Sequence, residues 1–437
     1  MGDEVIPESV LDHLRRIGDP EMGAVLGQGD EEFPEAVRRG GLLRDEVELP
    51  QAAVALAQGA DPDELDVDML LHAQRLFATY GTEIAGALLL AALPQAYAAS
   101  KGSRILAETT ELHRNFRARI LGTAQFLVVV MQGVENQAAK DLWIPGEDAL
   151  DRSVMTPWKA CLAVRCYHEA IRSQLGARPD GEEPLNQEDL LATLLAFTVT
   201  VFEVLERYGI TWTADDQQAY LYAWDLIGRR LGIGYPGVTS QLDKAFVARL
   251  EAEGWQGLRP PTVPETRKLA DQLRRRQWPD PTNRGPMLSG RRGQESQEDP
   301  EGQEAKQRRW EGTRAGRILI RALIEELAVA MPRRREGRPL AVMRALAPAV
   351  VRDRLNLGGG GIVLASLDLL PRRHAVIDRF TAQPVANPIG GRLLRLMANE
   401  VTTHVIVNFI RTGGLRLPAL EPWSGGIRER LRSTVSR

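Results

Sequence analysis

The histidines are the natural place to look for chemistry, because an imidazole both ligates metals and exchanges protons near neutral pH. The sequence contains six of them: His13, His72, His113, His168, His374 and His404. His168 stands out, since Arg165 precedes it by three residues and Arg172 follows it by four. Residues three or four apart share a face of an α-helix, so these three side chains would form one stripe.

The rest of this stripe is apolar and consists of Cys161, Val164, Ile171 and Leu175. Burying two guanidinium groups is unfavourable unless anions accompany them, and the stripe offers no acidic residue that could serve both. Haem would meet this need, because its iron binds neutral imidazole and its two propionates suit arginine. The alternative is a core histidine whose flanking arginines reach solvent or pair with glutamates on another helix. Spacing alone leaves both interpretations open and favours the second.

The elements that would position these residues are helices. Helix start and stop signals are clear between residues 63 and 233, whereas strand alternation is almost absent. Asn186 can cap a long helix that ends at Gly209, and Thr213 can cap a second one that ends at Gly232. The sequence therefore predicts an all-α protein, folded as a single multi-helix domain.

Composition divides this domain into four segments. Residues 1–62 form an N-terminal helical and loop segment, and residues 63–280 form the core that carries His168. Few apolar side chains occur over 281–315, which predicts a flexible polar insertion. Helical periodicity returns over 316–437, and we expect these C-terminal helices to pack on the core.

Composition and charge also exclude classes of function. With 43% hydrophobic and 26% charged residues over 437 positions, the chain can bury a large core. A net charge of −3 provides no basic excess for nucleic acid or an anionic membrane. The acidic start lacks signal-peptide character, and the apolar runs at 86–93 and 121–131 are shorter than the ~20 residues that span a bilayer. We expect a cytoplasmic protein without a membrane span. The sequence does not predict its oligomeric state.

Several stretches, in a fixed order, resemble a known family. The segment VRCYHEAIR (164–172) resembles the R-x-x-H-x-x-x-R helix of the latex-clearing-protein (rubber oxygenase) and MpaB-type oxygenase superfamily. Upstream, the long stretch that runs from LPQAY (93–97) to FLVVVM (126–131) resembles the distal helix of that family. Downstream, NQEDLLATLLAF, ERYGI and AYLYAWDLIGRRLGI follow in the expected sequence. The resemblance extends over roughly residues 63–233, about two-fifths of the chain.

The resemblance implies a globin-like, haem-binding helical core with haem b as the cofactor. His168 would be the proximal iron ligand, and Arg165 and Arg172 would hold the haem. These are the residues that the helical stripe brings together.

On the distal side, the family places an arginine, then a lysine three residues later, then a threonine. The matching positions here are Arg119, Gly122 and Thr123, so Arg119 and Thr123 are the implied catalytic residues. The departure at Gly122 is significant, because the lysine of rubber oxygenases can close the sixth iron position. Glu108 and Glu111 are candidates for the acidic catalytic residue of the family by proximity in sequence alone.

The implied function is that of an oxidoreductase, an oxygenase that uses haem and dioxygen to attack an alkene or another apolar molecule. Since the sequence shows neither an export signal nor a membrane anchor, we expect a small apolar or prenylated molecule as the substrate.

Three other interpretations are open. A haem-binding helical protein without turnover would carry the same residues. A non-haem metal oxidoreductase would need clustered ligands, for which the sequence offers the lone pair Glu400 and His404. Thiolate ligation by Cys161 or Cys166 is chemically possible, but both lie on the His168 helix and no cysteine-loop motif surrounds them.

Overall fold

The computed structural model describes most of the chain, and all statements below concern the described part. It comprises residues 5–26, 49–59, 65–99, 103, 105, 116–131, 143, 155–176, 178, 180–233, 262–278, 300–331, 335, 337–348, 351–352, 355, 357 and 388–411. For residues 59, 116–119, 121, 300–314, 388–389 and 409–411 the backbone alone is described. Every regular element within these ranges is helical, so the predicted all-α class is confirmed.

The helices follow one another along the chain with no intervening strand in the described ranges. They are α1 (Glu8–Leu14), α2 (Pro20–Leu26), α3 (Gln51–Gly59), α4 (Val67–Ala87), a π-helical turn (Leu88–Ala92), α5 (Leu93–Ala98), α6 (Phe116–Met131), α7 (Pro157–Leu175), α8 (Gln187–Arg207), α9 (Ala214–Arg230), α10 (Val263–Gln277), α11 (Pro300–Val329), α12 (Arg338–Leu346) and α13 (Pro388–Arg411).

Helices α8 and α9 form the centre of the fold, and the caps predicted for them are confirmed. The Asn186 side chain accepts a hydrogen bond from the backbone N–H of Asp189 at 2.9 Å. Gly209 follows the end of α8 and has a φ of 77°, a left-handed conformation that suits glycine. Thr213 and Asp216 cap α9 reciprocally, each side chain accepting from the other's backbone N–H. Local sequence therefore fixes both boundaries between these helices.

Helices α4 and α5 form one long rod interrupted by the π-turn. Pro94 has no N–H to donate, and its ring would clash with the carbonyl four residues earlier in a regular helix. The turn just before it opens the hydrogen-bond ladder, since the N–H of Leu93 donates to the carbonyl of Leu88, five residues back. A second irregularity lies at Tyr80, whose φ of −114° and ψ of 17° bend α4. The rod is thus continuous but not straight.

This rod, Val67–Ala98, has the length and the apolar composition of a membrane-crossing helix. Its best 18-residue window has a mean hydropathy of 1.6, and half of that window is buried inside the protein. The sequence prediction considered the apolar run at 86–93 separately, and so underestimated the length of the helix. Length and composition are weak criteria, because the core helix of a folded domain meets them too.

One extended hydrophobic core joins the N-terminal, central and C-terminal helices. Helix α8 packs against α4, α9, α10 and the π-turn, while α13 packs against α4 and α11 packs against α5. Core side chains such as Leu205, Tyr220 and Trp224 are at most 1% exposed. A smaller apolar cluster lies between α2, α3 and α7 and includes Met22 and Trp158. Helix α7 therefore lies between this small cluster and the main core.

The segment 281–315, which the sequence predicts to be a flexible polar insertion, is helical in its second half. Helix α11 already begins at Pro300, and residues 281–299 lie outside the described part of the chain. The reason is that the segment 300–315 is rich in Glu, Gln, Lys, Arg and Ala, which favour helix even where they offer little to bury. Low apolar content was therefore a poor guide to local structure here.

Candidate active site

Helix α7 carries His168, and its ends are sharply defined. The Thr156 side chain accepts from the N–H of Lys159 at 3.4 Å, Pro157 occupies the first turn, and Gly176 ends the helix with a φ of 65°. Proline is suited to a first turn because the N–H it lacks has no intrahelical partner there. His168 is half-buried, and its Nδ1 atom is shielded from solvent.

Arg165 is held by two carboxylates, one just before α2 and one in the first turn of α2. Its Nε donates to Oδ2 of Asp19 at 2.5 Å, and its Nη2 donates to Oδ1 of Asp19 at 2.8 Å and to Oε2 of Glu21 at 2.9 Å. Burial by itself would lower the pKa of Arg165, but the hydrogen bonds and negative charges of Asp19 and Glu21 outweigh it and raise that pKa. The guanidinium is therefore firmly charged and bidentately bound.

Arg172 is bound by acceptors of its own region. Its Nη1 donates to Oε2 of Glu169 at 2.8 Å, while its Nε and Nη2 donate to the carbonyl oxygen of Leu185 at 3.2 and 2.9 Å. Arg172 is 4% exposed, so these bonds satisfy a buried charge. They also connect α7 to the segment just before α8.

These contacts overturn the argument that an external anion must neutralise the stripe. The anions are supplied by the protein, as in the alternative interpretation of the sequence. Glu169, three residues before Arg172, was a signal that the sequence already held. Asp19 could not be found in that way, because it lies 146 residues from Arg165 in sequence. Both arginines predicted to bind the cofactor are thus paired with protein acceptors in this structure, while the half-buried imidazole of His168 between them has the chemistry to bind a haem iron.

Helix α6 is the predicted distal helix, and it packs directly against α7. Arg119 and Thr123 both lie within α6, one turn apart, although the side chain of Arg119 is outside the described part of the structure. Thr123 is exposed. At Gly122, no described atom lies within 4 Å of the position that a Cβ would occupy, whereas Phe126 and Leu127, one turn further on, are buried.

The other histidines that the structure describes have structural partners. His72 Nε2 lies 2.7 Å from Oδ1 of Asp216, and His404 Nδ1 lies 2.8 Å from the carbonyl oxygen of Glu400 in the preceding turn. The Glu400 carboxylate pairs with arginines of the segment before and at the start of α12, so it is not oriented with His404 as a metal site. Across the described ranges, no three His, Cys, Asp or Glu side chains are grouped to hold a metal ion.

Some predicted residues lie outside the described part of the chain. These are Glu108 and Glu111, the candidates for the acidic catalytic residue, and His113 and His374.

Both cysteines are free and buried in α7. Burial raises the pKa of Cys161 to about 12 and that of Cys166 to about 12. A thiol with such a pKa stays protonated near neutral pH, and the thiolate is the form that binds iron. The burial of both thiols therefore argues against thiolate ligation.

The same burial predicts slow thiol chemistry. We expect neither Cys161 nor Cys166 to react with Ellman's reagent on the timescale of minutes in the folded protein, and both to react at once in guanidinium chloride. Two thiols titrated rapidly without denaturant would contradict the packing of α7 against α2.

Comparisons with known proteins identify the family of this chain. The family model described as "ER-bound oxygenase mpaB/B'/Rubber oxygenase, catalytic domain" matches residues 71–373. No curated protein sequence matches the chain. Among solved structures, the chain is similar to "Structure of Latex Clearing Protein LCP in the closed state", with 16% sequence identity, a TM-score of 0.45, and coverage of 96% of this chain and 89% of that one. The family model spans well over half of the sequence, and the chain therefore belongs to the mpaB and rubber oxygenase family.

Proposed function

We propose that the protein is a haem b-dependent oxygenase, in which His168 would bind the iron, and that it acts with dioxygen on an apolar small molecule. The observation that carries the proposal is the position of His168. It lies on a helix held from both sides by ion-paired arginines, and that helix packs against α6, which carries Arg119, Gly122 and Thr123. Bound haem would supply the one-electron and dioxygen chemistry that protein side chains lack.

The protein groups proposed to act around the cofactor have separate tasks. His168 would provide a neutral imidazole nitrogen to the iron. Thr123 has a hydroxyl that both donates and accepts hydrogen bonds, and Arg119 shares its face of α6 and brings a positive charge. Phe126 and Leu127 would provide an apolar wall that excludes water from the substrate.

The substrate class and the location belong to the same proposal. An alkene or a prenylated molecule is the substrate that the family membership favours. A cytoplasmic location is supported by the two free cysteines, since reducing compartments keep thiols unpaired. Nucleic acid is not proposed as a partner, because the chain has a net charge of −3.

The spectrum of the purified protein tests the proposal. Protein produced with ample iron should show a Soret band and the pyridine haemochrome spectrum of haem b, with one haem per chain. A colourless full-length protein without affinity for added haemin would overturn it. Haem binding without oxygen consumption, for any reductant or alkene tested, would instead identify a haem-binding protein without turnover.

Gly122 leads to a further prediction about the distal side. Because glycine has no side chain to reach the iron, we expect the reduced protein to bind carbon monoxide readily, with the usual Soret shift. Gly122→Lys should slow this binding at least about tenfold, since an amine placed there can occupy the sixth position, as in the family pattern. Stopped-flow mixing with carbon monoxide measures both rates.

Thr123 and Arg119 provide the matching test of catalysis. Thr123→Val and Arg119→Gln should reduce oxygen consumption about 10²-fold or more, as expected for groups that stabilise developing charge, with little change in haem content. Unaltered consumption in both variants would remove them from the catalytic site.

A further inference from the structure

The segment between α1 and α2 contacts α7 through Arg165, and it also contacts the start of α8 and the end of α9. The carbonyl of Ile17 accepts from the backbone N–H of Gln187 at 2.9 Å, and the carbonyl of Gly18 accepts from the Gln187 side chain at 2.7 Å. The same side-chain amide donates to the carbonyl of Gly232 at 2.9 Å. The backbone next to Asp19 is thereby fixed to the start of α8 and to the end of α9.

Two glycines, one in this segment and one after α9, lie very close to the two arginines of α7. A Cβ at Gly18 would lie 2.8 Å from Cδ of Arg172 and 2.9 Å from its Nε. A Cβ at Gly232 would overlap Oδ2 of Asp19 and lie 2.6 Å from Nε of Arg165. Gly232 also has a φ of 71°, in the left-handed region. Both arginines on either side of His168 are therefore enclosed by backbone as well as by carboxylates.

Burial makes these contacts strong determinants of where α7 lies. The side chain of Asp19 is 4% exposed and that of Arg165 is 12% exposed. Oδ1 of Asp19 also accepts from the backbone N–H of Met22 at 3.1 Å, which fixes the carboxylate itself at the start of α2. A buried bidentate pair with a fixed carboxylate allows one placement of the guanidinium, and Arg165 is one turn from His168 on the same helix.

We infer that Asp19 is a positioning residue for His168, and that Arg165 and Arg172 act through Asp19 and Glu169 rather than through the carboxylates of the cofactor. Asp19 fixes the N-terminal side of the His168 turn, while Glu169 and the carbonyl of Leu185 fix its C-terminal side through Arg172. The inference deepens the proposed function, because it assumes that His168 binds the iron. The N-terminal segment is then part of the active-site architecture.

A double-mutant cycle tests the inference in the apoprotein and in the haem complex. The variants are Asp19→Asn, Arg165→Gln and the double replacement. Urea denaturation of the apoproteins should give a loss for each single variant and, for the double variant, a loss clearly smaller than the sum of the two, since each single change already removes the pair. In the haem complexes, the rate of haem transfer to apomyoglobin should rise about tenfold in all three. The iron–histidine stretching frequency of the reduced complexes should shift by the same amount in all three.

Asp12→Asn is the matched control. Asp12 also lies in the N-terminal segment and also pairs with an arginine, Arg276, but that arginine belongs to α10. Its haem transfer rate and iron–histidine frequency should be those of the unmodified protein.

The possible failures are distinguishable. If Arg165 contacts cofactor carboxylates instead, Arg165→Gln will accelerate haem loss while Asp19→Asn leaves the rate and the stretching frequency unchanged, which overturns the inference and leaves the proposed function intact. If no variant binds haem, non-additivity in the apoprotein still reports the Asp19–Arg165 pair, but the positioning role falls with the proposed function. Should Asp19→Asn not fold, Asp19→Glu keeps the charge with a longer side chain and should still shift the iron–histidine frequency. An unshifted frequency in Asp19→Glu would contradict the inference.

Discussion

Replacing His168 with alanine is expected to remove haem from the protein. The imidazole is the proposed bond between chain and iron, and no other histidine in the described ranges lies on α7 or α6. We expect less than about one tenth of the normal haem content after purification, measured as the ratio of Soret to protein absorbance, since the loss of one strong contact changes an affinity at least tenfold. Arg165→Gln and Arg172→Gln should lower haem content less, because those side chains are proposed to act through the protein.

His72→Ala is the control for this experiment. His72 is also half-buried, but its ring pairs with Asp216 at the start of α9. Its replacement should leave the haem content and the spectrum as they are. Full haem occupancy with an unchanged spectrum in His168→Ala would show that another residue is the ligand.

Replacing Gly316 with alanine is expected to destabilise the fold strongly. Gly316 lies within α11 where this helix crosses α5, and a Cβ there would overlap the backbone carbonyl oxygen of Tyr97 and lie 3.1 Å from its carbon. Backbone cannot rotate away as a side chain can, so one helix must shift. We expect a loss of about 1–3 kcal/mol in the free energy of unfolding, or more, measured by urea denaturation.

Gly122→Ala makes the matched control, because it is the same substitution within a helix but faces no described atom within 4 Å. Alanine is the better helix former, so this change should raise the free energy of unfolding by up to about 1 kcal/mol. Equal effects of both substitutions would show that α11 does not approach α5 as closely as described.

Local patterns predicted much of this structure, and long-range pairs could not be predicted. The caps at Asn186 and Thr213 are confirmed because capping depends on residues three positions apart. The helix that carries His168 is confirmed for the same reason, since its periodicity is local. No such rule connects Asp19 to Arg165, because their contact depends on how α2 and α7 pack.

The errors of sequence interpretation share a physical cause. The low apolar content of 281–315 predicts a flexible insertion, yet helix formation over 300–315 depends on backbone propensity as well as on burial. The helical stripe around Arg165 contains no anion, but a buried charge accepts partners from any element that reaches it, here Asp19. Tertiary packing, and not the stripe itself, determines what the arginines bind.

The π-turn at Leu88–Ala92 lets the long rod hold one extra residue without changing the faces that its two ends present. Its hydrogen bond spans five residues instead of four, so five residues of this turn sweep about the same angle as four residues of a regular α-helix. An extra residue within a regular helix would instead rotate every following residue by about 100° around the axis. The carbonyl of Tyr97 would then leave the surface that Gly316 contacts. The docking of α11 on α5 thus depends on the wider turn, which takes up a change in chain length that the rest of the rod could not.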